Sequence, residues 1–579
     1  MKMVKSLLLG GAAGLVAVAG AQAADLPVKA KPVEYVKICS LYGAGFFYIP
    51  GTDTCLKLGG YLRIDTTFNG NIYDAPAWNA DAGQHNRYFD YFAARSRMAL
   101  TVDTRTATEY GVVRTFAQAD FQFSTLAGNT FNPAALNTSL IQPSIAAQYG
   151  GGVLANNPQL LDTPGGGYVA VEFVFIQFAG FTFGKSASAY ATPWHGYPGN
   201  NSSFLLGGHD TVTGVNNIQY TWQFGNGVSA TLGLDDPTVF NRTTIFNLSA
   251  PTNTAATSFI GASATTNNAY GGVHYPDVVG NIRIDQAWGL FQISGAGHEV
   301  DASYNSLGVS ALSTSLPPGP AVGFPGGFEP FGASETSGHP GSKVGGSVMA
   351  ALQIKNIPWG AGDDIKMDAS WAKGDTKNVI STSATSPSFL MFGGGRPGSY
   401  QSVGLGATTD AVYLPQGFTA GGLGAPGTVV NGRILGASGI GDGSLHLTEA
   451  FGFRGAYNHN WDPYWSSSLF GSASAVRYDN TAKLFLCSAF TFASGTGGLA
   501  GKSADYSCNP DFNVYQLGFV TRWTPVKNLT FSAEVQWFHL DQKFTGASLL
   551  TTLPPKPNAV YDFKDQDTVA LNVRVQRNF

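Results

Sequence analysis

The sequence ends with the stretch DQDTVALNVRVQRNF, residues 565–579, in which apolar and polar side chains alternate. Its apolar set comprises Val569, Leu571, Val573, Val575 and Phe579. Its polar set comprises Thr568, Asn572, Arg574, Gln576 and Asn578. Because successive side chains of a strand point to opposite faces, this period of two predicts a β-strand with one apolar and one polar face.

Runs with the same alternation recur along the chain and predict sixteen strands. These lie at 55–69, 91–105, 108–123, 167–179, 181–187, 213–224, 227–235, 277–287, 289–304, 342–355, 363–373, 447–459, 464–478, 512–524, 528–541 and 565–579. Seven short turns alternate with eight long connections between them. The long connections are 70–90, 124–166, 188–212, 236–276, 305–341, 374–446, 479–511 and 542–564.

An even number of antiparallel strands joined alternately by short turns and long loops is typical of outer-membrane β-barrels. Lipid offers the backbone no hydrogen-bond partner, so a sheet that crosses it must close on itself. A soluble β-sandwich or propeller is the alternative, but its strands would be shorter and no blade-length repeat is present. We therefore predict an all-β transmembrane barrel of 16 antiparallel strands over residues 55–579.

The composition excludes several other classes of protein. Of the 579 residues, 12% are charged and 13% are aromatic. A soluble enzyme would carry about twice that fraction of charged residues. A disordered chain would lack the aromatic residues. The 33 basic and 37 acidic residues give no excess of positive charge for nucleic-acid binding.

The first 23 residues are typical of a secretory signal peptide. Lys2 and Lys5 precede an apolar run at 7–18, and Ala21-Gln22-Ala23 supplies the small residues of a cleavage site. We expect residues 24–54 to form an N-terminal periplasmic segment that leads into the barrel. The chain after Ala23 contains no apolar stretch of about 20 residues, so we predict no membrane-spanning helix.

The four cysteines of an exported chain predict disulfides, for which three connectivities are possible. Pairing neighbours in sequence needs the least chain closure and favours Cys39–Cys55 and Cys487–Cys508. No His lies at metal-ligand spacing from either pair, so we predict no metal site.

Arginines collect on the predicted inward faces and are candidates for the lining of a pore. Arg63, Arg95, Arg97 and Arg114 come from the first three strands, and Arg574 on the last strand would lie beside the first at closure. Adjacent strands are about 4.8 Å apart, so these side chains could form one basic patch that biases which ions pass. The alternative is that each arginine is merely paired with Asp65, Asp103 or Asp120.

The third long connection, 188–212, is the candidate for narrowing a sixteen-stranded pore, which is otherwise wide. It carries Trp194, His195, Tyr197, His209 and Asp210. The alternative is an ordinary outer loop. Loop 374–446 has few charges, and its composition does not decide between a mobile loop and one that packs over the barrel mouth.

Signals for catalysis are weak. Residues 393–398, GGGRPG, have the spacing of a dinucleotide-binding loop, but Pro397 and the glycines that surround it do not open a helix. The nine histidines are scattered and support no catalytic grouping. We predict a protein without enzymatic activity or cofactor; an outer-membrane protease or lipase is the formal alternative.

Residues 35–61, YVKICSLYGAGFFYIPGTDTCLKLGGY, closely resemble the opening of the general porins of alphaproteobacteria. The frame Cys39…Cys55, followed by Arg63-Ile64-Asp65, resembles it too, and Phe579 resembles the C-terminal signal that barrel-assembly machinery reads. This resemblance implies a homotrimer in the outer membrane, among lipid and lipopolysaccharide, that passes ions and small hydrophilic solutes passively. It also implies an inward-folded third loop facing a basic wall, here Ser188–Val212 and Arg63, Arg95, Arg97 and Arg114.

One departure from the family pattern affects the predicted selectivity. Such loops commonly bear several acidic residues, whereas 188–212 contains only Asp210. We therefore predict a weak preference for anions. Two other functions stay open: a sugar-specific channel with Trp194 and Tyr197 as stacking residues, and an adhesive surface protein that uses loop 374–446.

Overall fold

The computed structural model describes residues 37–70, 75–77, 91–124, 168–194, 196–209, 213–238, 242–248, 269–305, 338–380, 388–393, 401–416, 429–430, 433–434, 440–493, 501–550 and 559–579. The predicted signal peptide lies outside these residues. The chain divides into two units, residues 1–56 and 57–579.

The first unit has a small core around a disulfide. It contains a 3-10 helix, Ser40–Tyr42, and a short strand, Phe47–Tyr48, which pairs antiparallel with Cys55 and Leu56. The Cys39–Cys55 disulfide is buried beside Phe46. One of the two predicted disulfides is thereby confirmed, and it supplies the core that so short a segment cannot build from apolar side chains alone.

Sixteen strands form the barrel of the second unit, the first of them beginning in the first unit. They are β1 (Thr54–Phe68), β2 (Phe92–Thr108), β3 (Gly111–Ser124), β4 (Tyr168–Phe178), β5 (Phe181–Ser186), β6 (Val215–Gly225), β7 (Val228–Asp235), β8 (Asp277–Asp285), β9 (Gly289–Val300), β10 (Lys343–Lys355), β11 (Asp364–Lys373), β12 (Glu449–Asn460), β13 (Trp465–Arg477), β14 (Phe512–Val526), β15 (Leu529–Gln542) and β16 (Gln566–Asn578).

Each strand pairs with its neighbours in sequence, and β16 pairs antiparallel with β1, so the sheet is closed. At this seam Asp65 lies opposite Arg574. The closed antiparallel barrel of 16 strands confirms the predicted fold, although single strands begin or end up to four residues from the predicted positions. β2, for example, extends to Thr108 rather than to residue 105.

The short turns use residues that tolerate a left-handed backbone. Between β6 and β7, Asn226 has φ 50° and Gly227 has φ 73°. This two-residue turn has the asparagine–glycine sequence that hairpins favour, because its twist matches that of the strands. At Gly227 a Cβ atom would lie 1.9 Å from the carbonyl oxygen of Asp285, so the position excludes any side chain.

The two faces of the barrel differ as the alternation predicts. On the outside, Ile64 is 58% exposed and Val535 is 48% exposed, whereas the inward Asp65 is 1% exposed. Exposed apolar side chains in alternate positions form a surface suited to lipid. No helix among the described residues has the length and apolarity to span a bilayer.

The described parts of the long connections lie at one end of the barrel, which we call the outer end, and the short elements given next are those of the described residues. The strands are Ile245–Asn247, Phe389–Gly393, Gln401–Gly406, Ala411–Tyr413, Val429–Val430, Arg433–Ile434, Leu445–Leu447, Ala547–Leu550 and Ala559–Phe563. The helices are a 3-10 helix, Thr376–Asn378, and an α-helix, α1 (Asn480–Ala493).

We call α1 and the four-stranded sheet of Phe389–Gly393, Gln401–Gly406, Ala547–Leu550 and Ala559–Phe563 the outer cap. The Cys487–Cys508 disulfide ties α1 to the segment before β14 and confirms the second predicted pair. Phe485 and Phe490 of α1 share one apolar core with Phe389 and with inward side chains of the barrel. Part of loop 374–446 thus packs over the barrel mouth.

Candidate functional site

The barrel seam contains a buried ionic cluster. Arg95 donates from Nε and Nη2 to Asp65 Oδ2 over 2.9 and 2.7 Å. Arg574 donates from Nε to the other carboxylate oxygen of Asp65. All three side chains are at least nine-tenths buried. A single carboxylate therefore holds two of the predicted arginines, one from each side of β1.

The next arginines along the wall are also paired. Arg97 donates to Gln122 Oε1 over 2.6 Å and to Asp120 Oδ2 over 2.8 Å, with Glu172 4.0 Å away. Arg63 donates to Gln576 Oε1 over 2.8 Å. A buried guanidinium keeps its charge only where such partners compensate for lost water.

Arg105 and Arg114 share Asp103 and lie closer to the short turns. Each has a guanidinium nitrogen 3.0 Å from a carboxylate oxygen of Asp103. Their side chains keep 30% and 29% exposure. Sequence reasoning missed Arg105, although it lies two residues after Asp103 and hence on the same face of β2.

We call these side chains the arginine wall. It comprises Arg63, Arg95, Arg97, Arg105, Arg114 and Arg574 with Asp65, Asp103, Asp120 and Glu172. The structure thus brings five of the predicted pore residues onto adjacent strands, β1, β2, β3 and β16, each with a polar partner. The six arginines and four carboxylates leave an excess of positive charge on this wall.

Most hydrogen bonds of the third long connection go to a different part of the barrel. Asn281 of β8 and Gln292 of β9 donate to the carbonyl oxygens of Ala189 and Ala191 over 2.6 and 2.7 Å. Further along the connection, the Leu206 N–H donates to Gln516 Oε1 of β14 over 2.8 Å. The backbone of this connection is therefore hydrogen-bonded to inward side chains of the barrel at several points.

One side chain of β12 and one of β15 also donate hydrogen bonds to the backbone of the third long connection. Gln536 donates to the Phe204 carbonyl over 3.1 Å, and Arg454 donates to the His209 carbonyl over 3.0 Å. Arg454 is itself fully buried and ion-paired with Asp368 at 3.0 Å. We call β8, β9, β12, β14 and β15 with these side chains the loop-bearing wall.

The aromatic residues of the third connection have separate environments. Trp194 is 8% exposed and packs with Val279 and Met349 of the barrel. Tyr197 is half-buried, donates to the Ser203 carbonyl over 3.1 Å and lines a cavity of about 380 Å³. The predicted His195 and Asp210 lie outside the described residues.

The described residues contain no group of three or more His, Cys, Asp and Glu side chains that could hold a metal ion. Phe579, the predicted assembly signal, is 58% exposed and its backbone exchanges hydrogen bonds with Gly60. The terminal side chain is therefore on the surface of the barrel, and its backbone extends the seam.

The sequence profile of the porin subfamily matches residues 25–572. Porin Omp2b of Brucella canis is 34% identical over 294 residues, which are 49% of this chain and 63% of that protein. Porin Omp2b of Brucella melitensis is 33% identical over the same shares. This chain thus spans less than two thirds of the length of these relatives.

Among solved structures, the outer-membrane channel DcaP of Acinetobacter baumannii aligns with a TM-score of 0.47 at 11% identity, over 92% of this chain and 99% of that one. The subfamily match covers nearly the whole chain and does not depend on that alignment. This chain belongs to the porin family and is a β-barrel protein of the outer membrane of a Gram-negative bacterium.

Proposed function

We propose that the chain forms a passive, water-filled diffusion channel for ions and small hydrophilic solutes. The observation that carries this proposal is the closed barrel with a charged inner wall and an apolar outer face. A lumen wide enough for water is expected of sixteen strands, and charged side chains on the inner face need water or partners there.

The conducting path runs beside the arginine wall. The third long connection is hydrogen-bonded to the loop-bearing wall, and the outer cap packs against Phe512 of β14 and Phe538 of β15. Arg105 and Arg114, in contrast, keep nearly a third of their surface. They are the arginines best placed to meet passing ions.

The third long connection narrows this path and the arginine wall gives it a weak preference for anions. Ion pairing lowers the field of Arg95, Arg97 and Arg574, so their main role is to keep the wall charged and rigid. His195 and Asp210 remain predicted members of the constriction, because they belong to the same connection.

The remaining predictions concern export and assembly. We propose that residues 1–23 are removed as a signal peptide, that 24–54 lie in the periplasm, and that Phe579 addresses the chain to the barrel-assembly machinery. The resemblance to general porins further suggests a homotrimer embedded among lipopolysaccharide. No chemical conversion is part of this proposal.

Purified protein in planar lipid bilayers tests the channel. We expect stepwise insertion of open channels, a linear current–voltage relation and, in a salt gradient, a reversal potential of the sign for anions. Absence of conductance from folded protein would contradict the proposal, and a clear cation preference would contradict its selectivity.

A substrate-specific channel is the second candidate, favoured by the cavity that Tyr197 lines. Its other lining residues include Asn200, Asn458, Lys366 and Arg522, a hydrogen-bonding set suited to a hydroxylated solute. Trp194 does not support it, since that ring is packed against the barrel. Current block that saturates with one sugar would favour this candidate over the general pore.

A further inference from the structure

Asn201, in the third long connection, has all four of its hydrogen-bonding groups engaged by the barrel. Its N–H donates to Glu534 and its carbonyl accepts from Arg574 Nη1 over 2.6 Å. Its side-chain oxygen accepts from Arg522 Nε over 3.0 Å, and its amide nitrogen donates to Ser532 Oγ over 2.7 Å. The partners come from three adjacent strands, β14, β15 and β16.

These partners are themselves fixed. Glu534 is 1% exposed, and its second oxygen accepts from the Ser202 N–H over 3.2 Å. Arg574 is 6% exposed and also binds Asp65 in the seam. Arg522 also donates to the Gly199 carbonyl over 2.5 Å and to Ser468 Oγ over 2.8 Å. Charge-assisted bonds of this kind are stronger than neutral ones.

The chemistry of the site favours asparagine over its close analogues. The Arg522 guanidinium needs an acceptor, which the amide oxygen of Asn201 supplies, and Ser532 Oγ accepts from the amide nitrogen. Both the oxygen and the nitrogen of the side-chain amide are therefore used. An aspartate at this position would lack the donor and would bring a second carboxylate near Glu534. An alanine would leave Arg522 and Ser532 without this partner.

We propose that Asn201 is a positioning residue that, together with Glu534, Arg522 and Arg574, docks the third long connection on the barrel wall and thereby sets the open cross-section of the pore. This inference rests on the proposed channel function. It adds a specific latch, through which the third connection is tied by Arg574 to the arginine wall.

Single-channel recording of the full-length protein tests the latch. Asn201→Ala and Glu534→Gln should raise conductance by about 1.2- to 2-fold, increase open-channel noise and shift the reversal potential, because a released segment widens and unsettles the constriction. In Glu534→Gln one acceptor oxygen is replaced by an amide NH₂ group. This new donor faces a backbone N–H donor of Asn201 or Ser202, so one hydrogen bond to the connection is lost. Glu534→Asp keeps the charge and should restore part of the wild-type behaviour.

Asn216→Ala is the matched control, because Asn216 is exposed on β6 and has no part in the latch. The shift in gel mobility on heating identifies folded barrels, and only these are compared. Unchanged conductance, noise and reversal potential in folded Asn201→Ala and Glu534→Gln would overturn the latch while leaving the channel intact. A wild-type protein that conducts nothing would instead overturn the channel itself.

A cross-link gives a second, independent test. The Asn201 Nδ2 and Ser532 Oγ atoms lie 2.7 Å apart, so the double variant Asn201→Cys, Ser532→Cys is oxidised and its disulfide-linked fraction is isolated. The oxidised double variant should conduct like the wild type, whereas Asn201→Cys alone should show raised conductance. A cross-linked channel that is as noisy as Asn201→Cys would contradict docking at this residue.

Discussion

The arginine wall and the loop-bearing wall face the same lumen but satisfy their polar groups differently. On the arginine wall, side chains of neighbouring strands pair with one another, as Arg95 does with Asp65. On the loop-bearing wall, side chains such as Gln516 and Gln536 bind the backbone of the third long connection instead. The first wall is held mainly by its own strand-to-strand pairs and meets the connection at Arg574, whereas the second binds the connection along much of its length.

This difference between the walls predicts which substitutions change the stability of the barrel and which change the proposed conduction. Because strand-to-strand pairs keep the arginine wall ordered, its more exposed members can face water without losing their position. On the other side of the lumen, the third long connection and the outer cap cover many of the inward side chains of the barrel. We therefore expect substitutions on the two walls to have different signatures, one in folding and ion selectivity, the other in loop order.

The largest effect should come from Asp65→Asn, which breaks the arginine wall at the seam. Two buried guanidinium groups would lose their shared carboxylate, and breaking a buried pair costs about 3–5 kcal/mol. Denaturant unfolding followed through the heat-modifiable gel shift measures this loss. The control is Asp567→Asn, an exposed carboxylate on β16. Equal stability of the two variants would contradict the structural role of Asp65.

Removal of the Cys487–Cys508 disulfide tests the other region. Replacing both cysteines with serine frees a loop of 21 residues, which should cost the outer cap about 3 kcal/mol. Limited proteolysis should then cut near α1 while the barrel stays protected. The Cys39→Ser, Cys55→Ser variant should leave α1 protected; cleavage at α1 in that variant as well would show that the cap does not depend on its own disulfide.

A smaller effect is expected from Asp479, which caps the N-terminus of α1. Its carboxylate accepts from the Ala482 N–H over 2.7 Å and from His446 over 2.8 Å. Burial raises the pKa of Asp479, but these bonds lower it more, so the pKa ends below its ordinary value. The stabilisation is therefore complete above the ordinary pKa of about 3.9 and is lost as pH falls through the folded value.

Asp479→Ala should destabilise the outer cap by about 1 kcal/mol at pH 7, the usual contribution of a cap. Hydrogen exchange of the α1 amides measures this, and the difference from wild type should shrink towards pH 3. A difference that persists unchanged at low pH would contradict the role of the charged cap.

The smallest change in stability is expected from replacing Arg105 and Arg114, and this replacement also tests the proposed conducting path directly. Arg105→Gln with Arg114→Gln removes two charges whose side chains are about 30% exposed, and each glutamine keeps an amide donor for Asp103, so the change should cost under about 1 kcal/mol. The anion-to-cation permeability ratio should fall by roughly twofold, because both charges face the proposed water path. Arg577→Gln at the end of β16 is the control. A reversal potential that stays at the wild-type value would remove these arginines from the path.

Much of the fold could be predicted from the sequence because a barrel strand has a simple local pattern. Apolar and polar side chains alternate over most of residues 565–579, and β16 is found at Gln566–Asn578. Both disulfides were predicted from sequence spacing alone. The outer cap could not be predicted in this way: Gln401 pairs with Tyr561 across 160 residues, and no local period encodes such a contact.

The candidate site was predictable in composition but not in detail. Alternation puts Arg95 and Arg574 on the inner face and offers Asp65 as one of three possible partners, and the structure shows that both arginines bind Asp65. Asn201 could not be identified, because its role depends on four partners up to 373 residues away. Nothing in the residues around it distinguishes it from Asn200.

The measurement that tests the central claim most directly is the conductance of the purified, folded chain in a planar bilayer across a salt gradient. We predict open channels with a linear current–voltage relation, no saturation with solute, and a reversal potential on the side of weak anion preference. Folded barrels that leave the bilayer current at its baseline would contradict the account.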